Sequence, residues 1–197
     1  MSREIRVNDD FSLRVVVYPD QYRWVASPKH GVQRMMLDRI GDEIARATTI
    51  VRYAPNSEFS PHTHGGGEEY LVLDGVFSDE NGDYPLGTYV RNPIGSSHSP
   101  RIGSQGATIF VKLHQFAMDD SEQKVINSCH GHWHPGSISG LNVMPLHTYS
   151  NEHTALVKWS PNTQFNTHSH SGGEEILVLE GTLYDERGMY PKGSWLR

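Results

Sequence analysis

Short apolar runs recur along the chain, each rich in β-branched or aromatic residues and each followed by a turn sequence. These runs are residues 11–19, 45–53, 68–75, 87–92 and 107–116. The intervening turns carry glycine and asparagine, in sequences such as "GGG", "ENGD" and "IGSQG". Many short strands at regular spacing predict an all-β fold, either a sandwich or a barrel.

Residues 34–47, "RMMLDRIGDEIARA", fit two patterns. Their apolar spacing is compatible with a helix. However, Gly41 and Asp42 interrupt the middle of the segment, and both flanks have strand-like composition. A glycine–aspartate turn between two apolar runs is typical of a hairpin. We therefore expect two strands here.

The chain contains an internal repeat. Residues 62–91 and 168–197 are identical at 17 of 30 aligned positions. Chance does not give this degree of identity, whereas a duplicated structural unit does. We expect two tandem domains, residues 1–118 and 119–197, joined by a polar linker around Met118–Ser128.

Charge and composition narrow the function classes. The 197 residues include 17 lysines and arginines and 23 aspartates and glutamates, which give a net charge of −6. No basic stripe predicts binding to nucleic-acid phosphates, and no apolar run approaches the length of a membrane span. Cys129 is the single cysteine, so no disulfide can form within the chain. Such cysteine usage is typical of a reducing compartment, and we expect the cytoplasm.

The stretch "HTHGGGEE" brings metal-binding residue types together. His62 and His64 are two positions apart, so in a strand their side chains point to the same face. The glycines at 65–67 allow a tight reversal that can bring Glu68 alongside them. His98 follows a proline–glycine turn and can supply a fourth ligand. Imidazoles and a carboxylate converging on one point form a common ligand set for divalent transition metals, whereas a polar network without metal is the alternative.

Two motifs resemble the signatures of the cupin family. "HTHGGGEEYLVLDG" is similar to the first signature, and "GTYVRNPIGSSH" is similar to the second. Ile102 departs from the family pattern, because it stands where an asparagine usually follows. Strand alternation turns Glu69, the neighbouring carboxylate, to the other face. The metal ligands that this resemblance implies are His62, His64, Glu68 and His98.

Most of residues 10–116 resembles the zinc-binding cupin domain of the ChrR anti-sigma factors, and the second half resembles another copy. The resemblance implies a bicupin, with two tandem jelly-roll-like barrels. In ChrR a helical domain with paired cysteines grips the sigma factor. This chain has one cysteine and a short polar lead before the first strand. We therefore do not expect sigma-factor binding.

The ligand set leaves the metal and its role open. Three histidines and one glutamate complete a tetrahedral shell for zinc. The same set leaves two open positions on octahedral iron, manganese or nickel. The ChrR resemblance favours a zinc-binding protein with a sensory or regulatory role, and it allows a small-molecule ligand in the barrel. The alternative is a non-haem metal dioxygenase that acts on a small diketone or an aromatic ketone.

The second copy repeats three of the four ligands, namely His168, His170 and Glu174. The fourth is expected at about position 204, beyond the last residue, Arg197. The sequence therefore predicts a truncated second barrel and an incomplete site that is weak or empty. Water or a neighbouring chain could complete its shell. The exposed sheet edge left by the missing strands favours a homodimer.

A further histidine-rich run, "CHGHWHP", begins at Cys129. Its residue types suit a metal, but it lies near the predicted linker. We favour incidental histidines and an incidental thiol here, and leave metal binding as the alternative.

Overall fold

The computed structural model describes residues 4–166 and 168–197 of the chain. Nineteen strands and a single turn of 3₁₀ helix, Pro19–Gln21, make up its regular structure. In the described residues, no helix has the length and apolarity needed to cross a bilayer. The prediction of an all-β fold is confirmed.

The strands fall into a long-stranded first half and a second half of mostly short strands. In chain order they are β1 (Arg6–Val7), β2 (Val16–Val17), β3 (Val25–Ala26), β4 (Val32–Ile40), β5 (Arg46–Tyr53), β6 (His62–Thr63), β7 (Glu68–Asp79), β8 (Gly82–Pro85), β9 (Thr88–Asn92), β10 (Ser97–His98), β11 (Arg101–Leu113), β12 (Lys124–Asn127), β13 (His134–Pro135), β14 (Leu141–Tyr149), β15 (Glu152–Trp159), β16 (Ile176–Leu177), β17 (Thr182–Asp185), β18 (Gly188–Pro191) and β19 (Trp195–Leu196).

The first half is built on one nine-stranded antiparallel sheet. Its strand order is β1-β4-β5-β11-β7-β9-β12, with β3 added to β4 and β8 added to β7. The predicted hairpin at residues 34–47 is confirmed, because β4 and β5 pair antiparallel around Gly41. Gly41 has a φ of 115°, which L side chains rarely adopt, so the glycine permits this turn.

The interior of the first half is aromatic and β-branched. Strand β11 pairs with β5 on one side and with β7 on the other. Together these three strands supply most of the buried core, which includes Tyr70, Val72, Phe77, Ile109 and Val111. A tight apolar core of this kind fixes the positions of the short strands that carry polar groups at its edge.

Each half contributes one strand to a sheet of the other half. Strand β2 lies in the first half of the sequence, yet it pairs with β19, with Val17 opposite Trp195. Conversely, β12 lies in the second half and pairs with β9, with Ile126 opposite Tyr89. Tyr89 and Trp195 are equivalent positions in the repeat, so the exchange is reciprocal.

This exchange corrects two sequence predictions. The run at 11–19 was expected to form a strand, but only Val16–Val17 do so, and they pair with the two residues of β19. The linker predicted around Met118–Ser128 contains strand β12, which completes the edge of the first sheet. The linker prediction was therefore wrong for residues 124–127.

The exchanged strands give the halves a shared core. Trp195 is fully buried and belongs to the same cluster as Met35, Leu37 and Ile50 from the first half. Val16 packs in turn against Leu196 and its neighbours in the second half. Each half therefore stabilises the other through buried apolar surface.

The rest of the second half forms small sheets. Strands β13, β14 and β15 make one three-stranded sheet, and β17 pairs with β18 in a hairpin. Strand β15 occupies the place that β5 has in the first half. Within the described chain it pairs with β14 on one side only.

Candidate metal centre

The first cluster of histidines lies on the small sheet formed by β6 and β10. His62 and His98 are directly opposite one another in this antiparallel pair. The backbone amide of His64 donates a hydrogen bond to the carbonyl of Ser96 at 2.9 Å, which extends the pairing past the strand end. Backbone pairing thus holds His62 and His98 side by side, although they are 36 positions apart in the sequence.

The three imidazoles converge. One ring nitrogen from each of His62, His64 and His98 lies within 4.8 Å of the other two. The ring centroids are 4.7 to 5.1 Å apart, and the rings meet edge to face. Among the described residues this is the one group of three or more such side chains that converges so closely.

Hydrogen bonds at Nδ1 fix the orientation of two rings. Nδ1–H of His98 donates to Oδ2 of Asp79 at 3.2 Å. Nδ1–H of His62 donates to the carbonyl of Ser60 at the same distance. Both bonds select the tautomer in which Nε2 carries the free lone pair, which is the arrangement that metal-binding histidines use.

Glu68 completes the cluster on its buried side. Its Oε2 lies 3.6 Å from Nε2 of His64 and 3.7 Å from Nε2 of His98. Asn92 donates a hydrogen bond to the same oxygen at 3.1 Å and holds the carboxylate in place. The side chains of Glu68, His64 and His98 are all buried, and His62 alone is exposed.

The donor set fits a metal ion. Nε2 of His64 and Nε2 of His98 are buried and have no hydrogen-bond partner among the described residues. A buried polar atom without a partner costs about 1–3 kcal/mol, so two beside one carboxylate indicate a missing ligand. Burial lowers the pKa of His64, although Glu68 opposes the shift. The imidazole is therefore neutral at neutral pH, the form that binds metal.

The glycine turn before Glu68 is closely packed. Gly67 has a φ of 76°, and a Cβ added there would lie 2.3 Å from the ring of Phe116. A Cβ on Gly66 would lie equally close to the ring of His114. His114 is exposed, and its ring covers this turn. His114 and Phe116, which follow β11, thus pack against the glycine turn that joins His64 to Glu68.

The equivalent turn of the second copy is open. Among the residues that the structure describes, nothing lies within 4 Å of a Cβ placed on Gly172 or Gly173. Nε2 of His170 is 3.6 Å from Oε1 of Glu174, and these side chains are 46% and 51% exposed. The ring of His168 lies 4.8 Å from that of His170, and its Nδ1–H donates to the carbonyl of Asn166. The second copy therefore repeats the orientation of the first, but without burial.

The run "CHGHWHP" does not form such a centre in the described structure. Cys129 is an exposed free thiol. The histidines of this run are exposed, and they are not part of a converging group of ligands among residues 4–166 and 168–197.

Sequence reasoning missed the carboxylate behind His98. Asp79 is buried and accepts hydrogen bonds from His98 and, at 3.0 Å, from the hydroxyl of Tyr84. The internal repeat could have identified this aspartate, because Asp185 and Tyr190 are the equivalent residues of the second copy. The hydroxyl of Tyr190 donates a hydrogen bond to Asp185 at 2.7 Å. The aspartate–tyrosine hydrogen bond thus recurs in both copies, although Asp79 is buried and Asp185 is exposed.

Solved structures show the same fold over most of the chain. A candidate glyoxylate-induced protein from Pseudomonas aeruginosa aligns with a TM-score of 0.70 and 17% identity, covering 100% of this chain and 82% of its own. The protein YlbA from E. coli aligns with a TM-score of 0.62 and 15% identity, covering 98% and 84%. At this identity the likeness establishes the fold alone.

A third structure also matches, that of a candidate dioxygenase from Nostoc punctiforme. Its TM-score is 0.66 and its identity 15%, and the alignment covers 93% of this chain and 74% of that one. A comparison with curated protein sequences found no match.

The family assignment comes from the sequence itself. The profile of the ChrR cupin-like domain matches residues 12–117 and again residues 121–197. The two matches cover nearly the whole chain and coincide with the two copies of the repeat. The chain belongs to the ChrR cupin-like domain family and carries that domain twice.

Proposed function

We propose that this bicupin binds one divalent metal ion tightly, zinc in the first instance, and serves a sensory or regulatory role. The ligands are His62, His64, Glu68 and His98. The observation that carries the proposal is the pair of buried, unpartnered Nε2 atoms on His64 and His98, which face the Glu68 carboxylate.

Zinc suits the ligand number and the burial. Three imidazoles and one carboxylate give four donors of the types that zinc accepts. The affinity order of divalent metals places zinc above iron and manganese for such donors. Nickel competes more closely, and an E. coli pirin of the same fold, 11% identical with a TM-score of 0.56, has been solved with nickel(II). Metal content must therefore be measured and not assumed.

The exposure of the centre on one side and the packing of its loop favour a sensory role. His62 lies at the surface, whereas the other ligands are buried, so solvent and small molecules reach the centre from one side. The loop between the ligands packs on residues 114–116, which follow β11. Binding or loss of the ion is thereby linked to a surface that a partner could recognise.

The test begins with protein purified without added metal. Elemental analysis should give close to one zinc per chain. The variants His98→Ala and Glu68→Gln should lose that ion, while Asp74→Asn, an exposed carboxylate change on the same strand, should keep it. A chain that remains metal-free in zinc-containing medium, with the same melting curve as a chelated sample, would contradict the proposal.

The dioxygenase alternative is tested on the same protein. An enzyme needs a redox-active ion with open coordination positions. Oxygen uptake is measured with a panel of small β-diketones and hydroxylated acetophenones after loading with iron(II). Substrate-dependent uptake that His98→Ala abolishes would replace the sensory proposal with the enzymatic one.

A further inference from the structure

A second buried polar network lies where the two halves meet, on the opposite face of β7 from the metal ligands. Arg91 donates to both oxygens of Asp120, at 2.9 and 2.6 Å. His147, from the second half, lies 3.1 Å from the same carboxylate. The charge of Arg91 is thus neutralised inside the network.

Glu69 belongs to this network but is less completely paired. Its Oε2 accepts a hydrogen bond from the hydroxyl of Tyr89 at 2.5 Å. Nε of Arg91 is 3.9 Å away and makes no hydrogen bond. In the described part of the chain, no other side-chain cation lies within ion-pair distance of Glu69. Lys112 is opposite Glu69 in register, but its ammonium bonds elsewhere.

The equivalent carboxylate in the second half is fully paired. Glu175 accepts a hydrogen bond from the indole of Trp195 at 2.9 Å, as Glu69 does from Tyr89. It also binds the ammonium of Lys112 at 2.6 Å. Burial alone would lower the pKa of Lys112, but the charge of Glu175, with a smaller contribution from the charge of Glu69, raises it, so this environment holds the lysine as an ammonium. At this position of the repeat, the carboxylate of the second copy therefore binds a primary ammonium group.

A cavity of about 460 Å³ opens beside Glu69. It is lined by residues from both halves, including Arg91, Asp120, Ser150, Asn151 and Glu152. Its volume falls within the range of small-molecule sites. With Arg91 neutralised by Asp120, the carboxylates of Glu69 and Glu152 leave the lining negatively charged, which favours a cation over an anion.

Among the described residues, two nitrogen atoms in the cavity wall also lack hydrogen-bond partners. Nε of Arg91 and Nδ1 of His147 are buried without a hydrogen bond in the described structure, although Glu122 lies 3.4 Å from the latter. Both residues are more than nine-tenths buried. A ligand therefore gains hydrogen bonds here as well as charge pairing.

We infer that this cavity between the halves binds a small organic molecule through a primary ammonium group. The ammonium contacts Glu69 in the way that the ammonium of Lys112 contacts Glu175. The polar remainder of the ligand lies against Ser150 and Asn151, with Glu152 at the rim. This site is separate from the metal centre, because Glu69 and Glu68 point to opposite faces of β7.

The test uses three probes of matched length, namely 4-amino-1-butanol, 1,4-butanediol and 4-hydroxybutyrate. Titration calorimetry with the zinc-loaded chain at fixed ionic strength measures each Kd. We expect saturable binding of the amine, at least tenfold tighter than that of the diol or the carboxylate. Carboxylate binding equal to or tighter than amine binding would overturn the inference.

Substitutions of cavity residues test whether the amine binds beside Glu69. Glu69→Gln should weaken amine binding at least tenfold, and Glu152→Gln should weaken it several-fold. Glu186→Gln, an exposed carboxylate elsewhere, is the matched control and should change nothing. His98→Ala should leave amine binding intact while it removes the metal, which separates this inference from the proposed function. If Glu69→Gln does not fold, the rim variant decides, and unchanged amine binding in folded Glu152→Gln would contradict the site.

Discussion

Asp79 holds His98 by a buried hydrogen bond of 3.2 Å between the aspartate Oδ2 and the imidazole Nδ1. The bond fixes the ring so that Nε2 faces Glu68 and the other two histidines. The hydroxyl of Tyr84 donates to the second oxygen of Asp79, so the carboxylate itself cannot rotate freely. Such outer partners tune the affinity of a metal site without touching the ion.

The change Asp79→Asn should therefore weaken zinc binding by about 10–100-fold while the fold persists. The amide cannot accept the Nδ1 hydrogen bond as strongly, so the His98 ring loses both its orientation and its basicity. Competition with a chromophoric chelator measures the affinity. Asp74→Asn on the same strand is the matched control, and an equal loss of affinity in that variant would show that the effect is not specific to Asp79.

The two copies should differ in metal affinity. His98→Ala should lower the affinity of the tight site at least about 100-fold, more than the loss of an outer partner. His168→Ala should leave the tight site unchanged, because the second cluster is exposed and has three protein ligands in this chain. Zinc titrations of both variants and the parent chain measure this. Two ions of equal affinity in the parent would contradict the expected asymmetry.

Bound zinc should also stabilise the fold. A ligand that binds only the folded state at about 100 times its Kd adds about 2.7 kcal/mol to the free energy of unfolding. Chelation should therefore lower the melting temperature of the parent chain. The same chelator should have little effect on His98→Ala, and a large shift in that variant would place the stabilising ion elsewhere.

Asp120 makes stability depend on pH. Burial alone would raise its pKa, but hydrogen bonds from Arg91 and His147 outweigh burial and lower the pKa below the usual 3.8. A carboxyl with a lowered folded pKa contributes stability above its unfolded pKa, and that stability is lost as pH falls through the folded value. Asp120→Asn should cost about 3–5 kcal/mol at pH 7, because it leaves Arg91 buried without its charge partner.

The difference between Asp120→Asn and the parent chain should begin to shrink as pH falls below about 4, where the carboxyl of the unfolded parent chain binds a proton, and should be lost as pH falls through the lowered folded pKa. Urea unfolding of both chains across a pH series, with chelator present throughout, measures this difference in the free energy of unfolding. Asp119→Asn, an exposed neighbour, should cost no more than about 1 kcal/mol. A difference that stays constant down to pH 2 would show that the charge of Asp120 is not what stabilises the network.

Trp195 should couple the unfolding of the two halves. It is fully buried between residues of both, so Trp195→Ala should cost about 3–5 kcal/mol. We expect one cooperative transition in the parent chain. Trp133→Ala, at a side chain that is 39% exposed, is the matched control and should cost far less. Independent melting of two halves in the parent would contradict a shared core.

Local spacing made much of the metal centre predictable. His62, His64 and Glu68 lie within seven residues, and a strand followed by a glycine turn can place them in only a few ways. His98 was found through its motif and not through geometry. Asp79 was missed because no spacing rule links an aspartate in one strand to a histidine in another, although its recurrence as Asp185 in the repeat was visible.

The strand exchange was not predictable from the sequence. Val16–Val17 and Trp195–Leu196 are short apolar pairs at opposite ends of the chain, and nothing in either pair specifies the other. Their pairing depends on the burial of Trp195 in a core that both halves build. The cavity beside Glu69 is likewise a product of this assembly, so it has no signature in either copy alone.

The reciprocal exchange of β2 and β12 has a consequence for synthesis on the ribosome. The edge of the first sheet at β9 stays open until β12 has been made. Strand β2 emerges before its partner β19, and Val17 and Trp195, which pair, are 178 residues apart. Contacts between residues so distant in sequence form slowly, since a long loop must close before any contact is gained. Strand β2 therefore remains without its native partner while the intervening residues are synthesised, the interval in which chaperones or a second nascent chain can reach it.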